Sequence, residues 1–450
     1  MLEEVDLQKF LAGRALLATE IPVERERLNE ATQKGLVVAV DGFVNGRCMR
    51  CGNRDEHLIG EYPCYRCKSE CTYCRKCIEM GRVSTCSKLY TWVGAPVIWA
   101  PSYCHWEGHL SQQQKEASEK MIEALQINQD LLIWAVAGAG KTEMIFGGIE
   151  WALQQGKRIA VACPRTDVIL ELEPRLKAAF PETSIATLYG ASEEKHDCGQ
   201  LILSTTHQLF RFKSAFDLMV IDEVDAFPYS MDAELQLAAR EAAKSDATTV
   251  YLTATPTRKW QNEFFSGIRN GVHIPARFHQ HPNPVPEMRW IGNWKKAISK
   301  KQIPIPLRDW LEKQKNPFLL FFPHIDLMNQ ALPLIKQITP NILSVHSEDP
   351  DRKEKVQLLR NGHVQGLLTT TILERGVTIK AVDVAVVGAE DHTFTEAALV
   401  QIAGRVGRNP EKPDGDVLFF HYGKTDEMIR AINQIITNNQ MARERGLLNI

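Results

Sequence analysis

The sequence predicts an α/β protein, with two tandem parallel-sheet domains preceded by a small zinc-binding module. Three observations carry this. From about residue 131 short β-rich runs alternate with longer helical patterns, as a parallel sheet with crossover helices requires. A glycine-rich turn stands between the first of these strands and its helix. Eight of the eleven cysteines crowd between Cys48 and Cys86, a density that in a reducing compartment favours metal over disulfides.

A chain of 450 residues, 44% hydrophobic, is too long for one core and fits two to four domains. The formal charge of -2 excludes a protein that coats nucleic acid by bulk charge, so any polyanion contact must be a local patch. The start, MLEEVDLQKF, lacks the basic and apolar regions of a secretory signal, and no apolar run approaches 18 residues, so a cytoplasmic protein is expected.

The expected order is an amino-terminal region over 1–105 with the zinc module at 45–90, a first domain over 106–275, a linker over 276–316 and a second domain over 317–450. First-domain strands are expected at Leu131 to Ala137, Arg158 to Ala162, Leu201 to Ser204, Leu218 to Ile221 and Val250 to Thr253. The proline-, histidine- and lysine-rich stretch that follows shows no sustained periodicity and reads as a linker with some local structure. Second-domain strands are expected at Phe318 to Phe322, Ile342 to Val345, Gly366 to Thr370, Val384 to Val387 and Val417 to Phe420.

The turn after the first strand, Ala135 to Thr142 (AVAGAGKT), is a P-loop in its proper strand-to-helix setting. Gly138, Ala139 and Gly140 let backbone N–H groups wrap the phosphates of ATP. Lys141 reaches the β- and γ-phosphates, and Thr142 supplies a magnesium ligand. A second Gly-Lys-Thr, Gly423 to Thr425, lacks the glycine-rich approach and reads as a decoy. The apolar run Leu218 to Ile221 ends in Asp222-Glu223-Val224-Asp225, at the carboxyl end of a buried strand where α/β sheets bind ligands. Asp222 can hold magnesium through water, and Glu223 is the natural base for the water that attacks the γ-phosphate.

In this order the motifs resemble those of superfamily 2 helicases and translocases, over roughly residues 105 to 425. The resemblance implies RecA-like domains and roles for further residues. Gln114, in Leu110 to Gln114, would read adenine. Thr253-Ala254-Thr255-Pro256 is similar to the motif coupling hydrolysis to domain movement. Gln401 to Arg408 (QIAGRVGR) resembles the arginine-finger motif. Arg405 and Arg408, three apart, would share a helical face, with Arg408 the better finger and Gln401 positioning water. Arg165, Thr205, His207 and Thr371 lie in segments resembling strand-binding motifs, whose polar groups suit phosphate contacts without a sequence code. Gly376, beside the last, would allow close backbone approach.

Cys48 and Cys51 are separated by twelve residues from Cys64 and Cys67, a zinc-ribbon spacing, and Cys71, Cys74, Cys77 and Cys86 could complete a second site. Eight thiols also permit other pairings, including interleaved sites, and one or two zinc ions. All-thiolate sites imply structural metal, in a module with a core separate from the motor. Between Arg47 and Lys88 nine Lys/Arg face five Asp/Glu, interleaved with Tyr62, Tyr65 and Tyr73, a combination suited to a single strand.

A cysteine module ahead of such motifs, with Tyr73 to Arg82 and Ser204 to Leu209, resembles the ComFA family of late-competence DNA-uptake ATPases of Gram-positive bacteria. That resemblance implies an ATP-dependent single-stranded DNA translocase using ATP, Mg2+ and Zn2+ and serving DNA uptake during transformation. It implies a place at the inner face of the membrane, reached through partners. Those partners are a phosphoribosyltransferase-like competence protein, the DprA recombination mediator and the membrane DNA-uptake channel, besides a homo-oligomer. The alternatives are a PriA-like replication-restart helicase, whose cysteines interrupt the second half of the motor, and a DNA-binding adaptor with a degenerate motor.

Overall fold

The computed structural model describes residues 6–190, 192, 198–375 and 379–449. Gly376 lies outside them. The chain divides into two compact units, one of Met1–Ile133 with Thr142–Val272, the other of Trp134–Lys141 with His273–Ile450.

The first unit is built on a sheet whose strands run in the order Ile185–Leu188, Leu201–Thr205, Ile159–Cys163, Phe216–Ile221, Ala243–Thr253, Leu131–Ala135 and Gly271–Ile274. The first five are mutually parallel. Their middle strands, IAVAC and LILST, are buried at every position, which is why they read as unbroken apolar runs rather than as an alternation. Helix Gln112–Gln126 opens with a capping box between Ser111 and Gln114, and Asp232 caps helix Ala233–Ala242 by accepting two backbone N–H bonds.

Ahead of this sheet, Leu16–Leu17, Lys88–Trp92 and Val37–Asp41 form a small antiparallel sheet, and two hairpins carry most of the cysteines. The expected separate core is not formed. Cys48, Cys51, Cys74, Cys77 and Met80 join one buried cluster with Phe210, Phe212, Leu235 and Ala238, which pack on the seven-stranded sheet. The cause is composition: a module this small has too few apolar residues to close a core alone and borrows the helix beside it.

In the second unit six strands run in the order Glu287–Trp290, Val417–His421, Asp383–Val387, Phe318–Phe321, Gly366–Thr369 and Ile342–Val345, all parallel. The stretch over 276–316, expected as a linker with some local structure, supplies an edge strand of this sheet and two helices, Trp294–Ser299 and Ile305–Lys313. Trp294, Leu307, Trp310 and Leu311 anchor it by burying against Phe318 and Phe420. Short helices with one apolar face leave too little periodicity to be seen among the surrounding prolines.

Candidate nucleotide and nucleic-acid site

In the first unit four adjacent parallel strands end side by side, and each end delivers one expected motif. Leu201–Thr205 leads into Thr206, exposed His207 and Gln208; Ile159–Cys163 into Pro164 and half-buried Arg165; Phe216–Ile221 into Asp222 to Asp225; Ala243–Thr253 into Ala254 and Thr255. The order along the sheet, rather than in the chain, makes one shelf of them.

Backbone geometry shapes the acidic end. Asp222 is buried and its Oδ1 accepts the Glu223 N–H at 2.8 Å, while Glu223 takes a left-handed φ of 54° that turns the chain out of the strand. Asp225 was not singled out from sequence. Its two carboxylate oxygens accept the hydroxyls of Thr253 and Thr255, each at 2.6 Å, so the acidic box is bolted to the expected coupling motif. Thr142 Oγ1 accepts from Arg175 Nη1 at 3.1 Å, and Arg175 also pairs with Glu143. A hydroxyl and a carboxylate are the hard-oxygen donors magnesium takes, and Thr142 and Asp222 are the residues that would hold it. Gln114 is buried, its carboxamide oxygen accepting the Ser111 N–H at 2.8 Å.

In the second unit the loop Val136 to Gly140 is turned by Gly138 and Gly140, at φ 84° and 74°, the left-handed region that a phosphate-wrapping loop needs. Lys141 begins the short helix that follows. The arginine motif lies against this loop: a Cβ on Gly404 would stand 2.5 Å from that of Ala137. Arg405 and Arg408 do not share a helical face as expected. Helix Glu396–Ala403 stops at its cap Gly404, and Gly407, at φ 68°, continues a turn in which any Cβ would meet the Pro413 carbonyl oxygen at 2.0 Å. Arg405 Nε donates to the Glu374 carbonyl at 2.9 Å, and Arg408 Nε to that of Gly404, also at 2.9 Å. Gln401 is buried on the helix just before them, and Thr371 opens a single turn, Thr371–Leu373, after strand Gly366–Thr369. The decoy at Gly423 to Thr425 is a helix cap, with Thr425 Oγ1 accepting the Met428 N–H.

The cysteines form two groups of four, Cys48 with Cys51, Cys74 and Cys77, and Cys64 with Cys67, Cys71 and Cys86. This is the interleaved arrangement, not the ribbon of Cys48, Cys51, Cys64 and Cys67. The register of one hairpin decides it: Cys64 faces Ser69 at the turn while Ile59 faces Cys74 at the base, so the hairpin's two ends serve different groups. Sulfur separations of 3.8 Å (Cys48–Cys77), 3.6 Å (Cys51–Cys74) and 3.6 Å (Cys64–Cys86) match the edges of about 3.8 Å of a tetrahedral tetrathiolate zinc site; Cys67–Cys71, at 3.1 Å, is tighter. Hydrogen bonds from Cys48, Cys51 and Cys77 pull the Cys74 thiol down, while contacts with Cys48, Cys51 and Cys74 push Cys77 up. Thiol and thiolate crowded together are the situation a divalent cation resolves, so both groups fit zinc.

Sequence reasoning also missed Glu20, Arg50 and Arg211, which join the cysteine module to the rest of the first unit. Glu20 pairs with Arg50 through one carboxylate oxygen and with Arg211 through the other. Arg50 Nη1 donates to the Met80 carbonyl at 3.0 Å, and Arg211 Nε to Gln208 Oε1 at 2.7 Å, within the segment expected to touch a strand. No sequence signal marks a carboxylate that far from its partners.

Parallel sheets carrying a P-loop, an acidic box tied to a Thr-Ala-Thr motif and an arginine turn define a helicase-type ATPase of superfamily 2. Residues 107–258 match the family model "Type III restriction enzyme, res subunit", and residues 300–410 match "Helicase conserved C-terminal domain". Dbp5 of S. cerevisiae, solved bound to RNA and ADP BeF3, shares the fold with a TM-score of 0.53 at 15% identity, over 73% of this chain and 87% of that one. Residues 2–91 match the model "Competence protein ComFA N-terminal domain". Competence protein ComFA of Bacillus subtilis (strain 168) is 46% identical over 445 residues, 97% of this chain and 96% of the relative. That of Streptococcus pneumoniae (strain ATCC BAA-255 / R6) is 37% identical over 403 residues, 86% and 92% of the two chains. The chain therefore belongs to the ComFA family, a competence-related, nucleic-acid-dependent ATPase with helicase-type domains that imply ATP. The PriA-like alternative is not favoured by these matches. Among the described residues no helix is long and apolar enough to cross a membrane.

Proposed function

We propose that the protein is an ATP-driven motor that moves single-stranded DNA, serving DNA uptake during bacterial transformation. The observation that carries this reading is the shelf of four parallel strand ends, on which the expected strand-gripping groups Thr205, His207 and Arg165 adjoin Asp222 and Glu223. Asp225 supplies the link from hydrolysis to grip: a shift of the acidic box on phosphate loss is carried by its carboxylate to Thr253 and Thr255. In this reading Gly138, Ala139, Gly140 and Lys141 hold the phosphates, Gln114 reads adenine, and Thr142 and Asp222 hold the magnesium that neutralises phosphate charge. Glu223 takes the proton of the attacking water, Gln401 positions that water, and Arg405 and Arg408 stabilise the developing charge. Thr371 adds a contact to the strand from the second unit, and zinc in the cysteine groups is structural.

We further propose a place at the cytoplasmic face of the membrane, with the DNA-uptake channel, a phosphoribosyltransferase-like competence protein and the DprA mediator as partners. Self-association into a homo-oligomer belongs to the same reading. The test is steady-state ATP hydrolysis with single-stranded DNA, RNA or duplex DNA at rising salt. Strong, sequence-tolerant stimulation by single-stranded DNA that fades as salt rises is expected. Equal stimulation by RNA or duplex would refute the single-stranded DNA specificity.

A further inference from the structure

Arg277 is a buried cation that the reading above leaves without a task. Its residue is 0% exposed, and it lies in the stretch expected as linker. Nε donates to Asn283 Oδ1 at 2.7 Å and Nη1 to the Gly407 carbonyl at 2.8 Å, in the turn that carries Arg408. Asn283 is itself clamped by two 2.8 Å bonds to the side chain of Asn439. The Arg277 stem packs on the P-loop, its Cγ and Cδ standing 3.6 Å from where a Cβ of Gly138 would be, and the next N–H, of Phe278, donates to the Gly138 carbonyl at 3.0 Å. His279 Nε2 reaches the same Gly407 carbonyl at 2.9 Å. Nη2 is buried and, among the described residues, has no hydrogen-bond partner.

A guanidinium buried beside another arginine carries a double penalty, desolvation and like-charge repulsion, and here burial first and Arg408 second push its pKa down to about 9. All three partners of its nitrogens and its stem are neutral: an amide oxygen, a carbonyl and a glycine. The remaining donor thus calls for an anion at the junction of the P-loop and the arginine turn. The anion chemistry such a loop accepts is phosphate.

We propose that Arg277 is a further phosphate-binding residue of the nucleotide site, its Nη2 donating to a phosphate oxygen of a nucleoside triphosphate while its bond to Gly407 sets the turn bearing Arg408. The proposal rests on the reading of Gly138 to Thr142 as the nucleotide site. Direct binding of a fluorescent ATP analogue by the full-length protein tests it, using Arg277→Gln, Arg277→Lys and, as reference, Lys141→Ala, with melting of each protein with and without ATP. Arg277→Gln should weaken ATP binding roughly ten- to hundredfold, the worth of one charge-assisted hydrogen bond. It should not lower the melting temperature without nucleotide, because it removes a repelled buried charge, but should shrink the rise on adding ATP. Arg277→Lys, keeping charge and stem without the fork, should fall between. Wild-type affinity in both Arg277 variants alongside a weakened Lys141→Ala would overturn the proposal and leave the nucleotide site standing. Wild-type affinity in all three would overturn both. Should Arg277→Gln fail to fold, Arg277→Lys decides alone, and full ATP affinity in it refutes the role.

Discussion

Replacing Glu20 by glutamine should destabilise the first unit more than any other single change in the cysteine module outside its thiols. Glu20 is 11% exposed and serves two arginines, Arg50 at 0% and Arg211 at 14% side-chain exposure. One of its carboxylate oxygens also accepts the Leu17 N–H at 2.8 Å. Burial already lowers the Arg211 pKa, with Glu20 opposing the shift and Arg50 adding to it. In Glu20→Gln the two cations keep their burial and lose the charge between them. Breaking a buried ion pair in this way costs about 3–5 kcal/mol. For a unit of this size each kcal/mol is worth roughly 2–4 °C, so its melting transition should fall by roughly 6–20 °C. The matched control is Glu30→Gln, which breaks a 4.0 Å pair with Lys34 whose partners are both about two-thirds exposed and should be silent. Differential scanning calorimetry reads both. A Glu20→Gln transition within about 2 °C of wild type would show that the clasp contributes nothing net and refute the reasoning. The same variant should blunt stimulation of hydrolysis by DNA, because Arg211 also holds Gln208 within the segment proposed to touch a strand.

Three further outcomes follow from the structure. Asp225→Asn should keep ATP affinity but lose most DNA stimulation, since it weakens the two 2.6 Å bonds to Thr253 and Thr255; competition binding and turnover measured together check the split. Two zinc ions per chain are expected by metal analysis, and Cys67→Ala, at the exposed group, should release one while the motor stays folded. Cys77→Ala, inside the shared core, should release the other and lower the melting of the first unit as well. His273 is held neutral, its pKa lowered from 6.5 to about 4, by burial first and by Arg445 second. Below pH 6.5 the unfolded chain takes up this proton and the native one does not, so stability falls between pH 6.5 and 4 by roughly 3 kcal/mol and levels off below. In His273→Phe, which keeps the stacking on Trp134, urea titrations should show that share of the slope gone.

Much of the fold is legible in the sequence because its strands are buried on both faces. Runs such as Leu218 to Ile221 and Val384 to Val387 have no polar face to obscure them, and the motifs at their ends are set by neighbours close in the chain. What stays hidden is set by partners far apart. The cysteine grouping depends on a hairpin register that spacing alone leaves open. Strand Glu287–Trp290 and helix Ile305–Lys313 are revealed only by the core they complete. The arginine turn reads as a helix because of the three-residue spacing of Arg405 and Arg408, whereas the helix ends at its cap Gly404 and Gly407 turns the chain tightly against Pro413. Arg277 draws its meaning from Gly138 and Gly407, more than a hundred residues away on either side.

The measurement that bears most directly on the central claim is displacement of streptavidin from the end of a biotinylated single-stranded oligonucleotide. A motor that moves along a strand pushes the block off, in one direction and only while ATP is hydrolysed. The wild-type protein should therefore clear a block at one end far faster than at the other, and Glu223→Gln and Arg408→Ala should clear neither while still binding DNA. Vigorous DNA-stimulated hydrolysis with no displacement from either end would contradict the account, leaving an ATPase that grips a strand without moving along it.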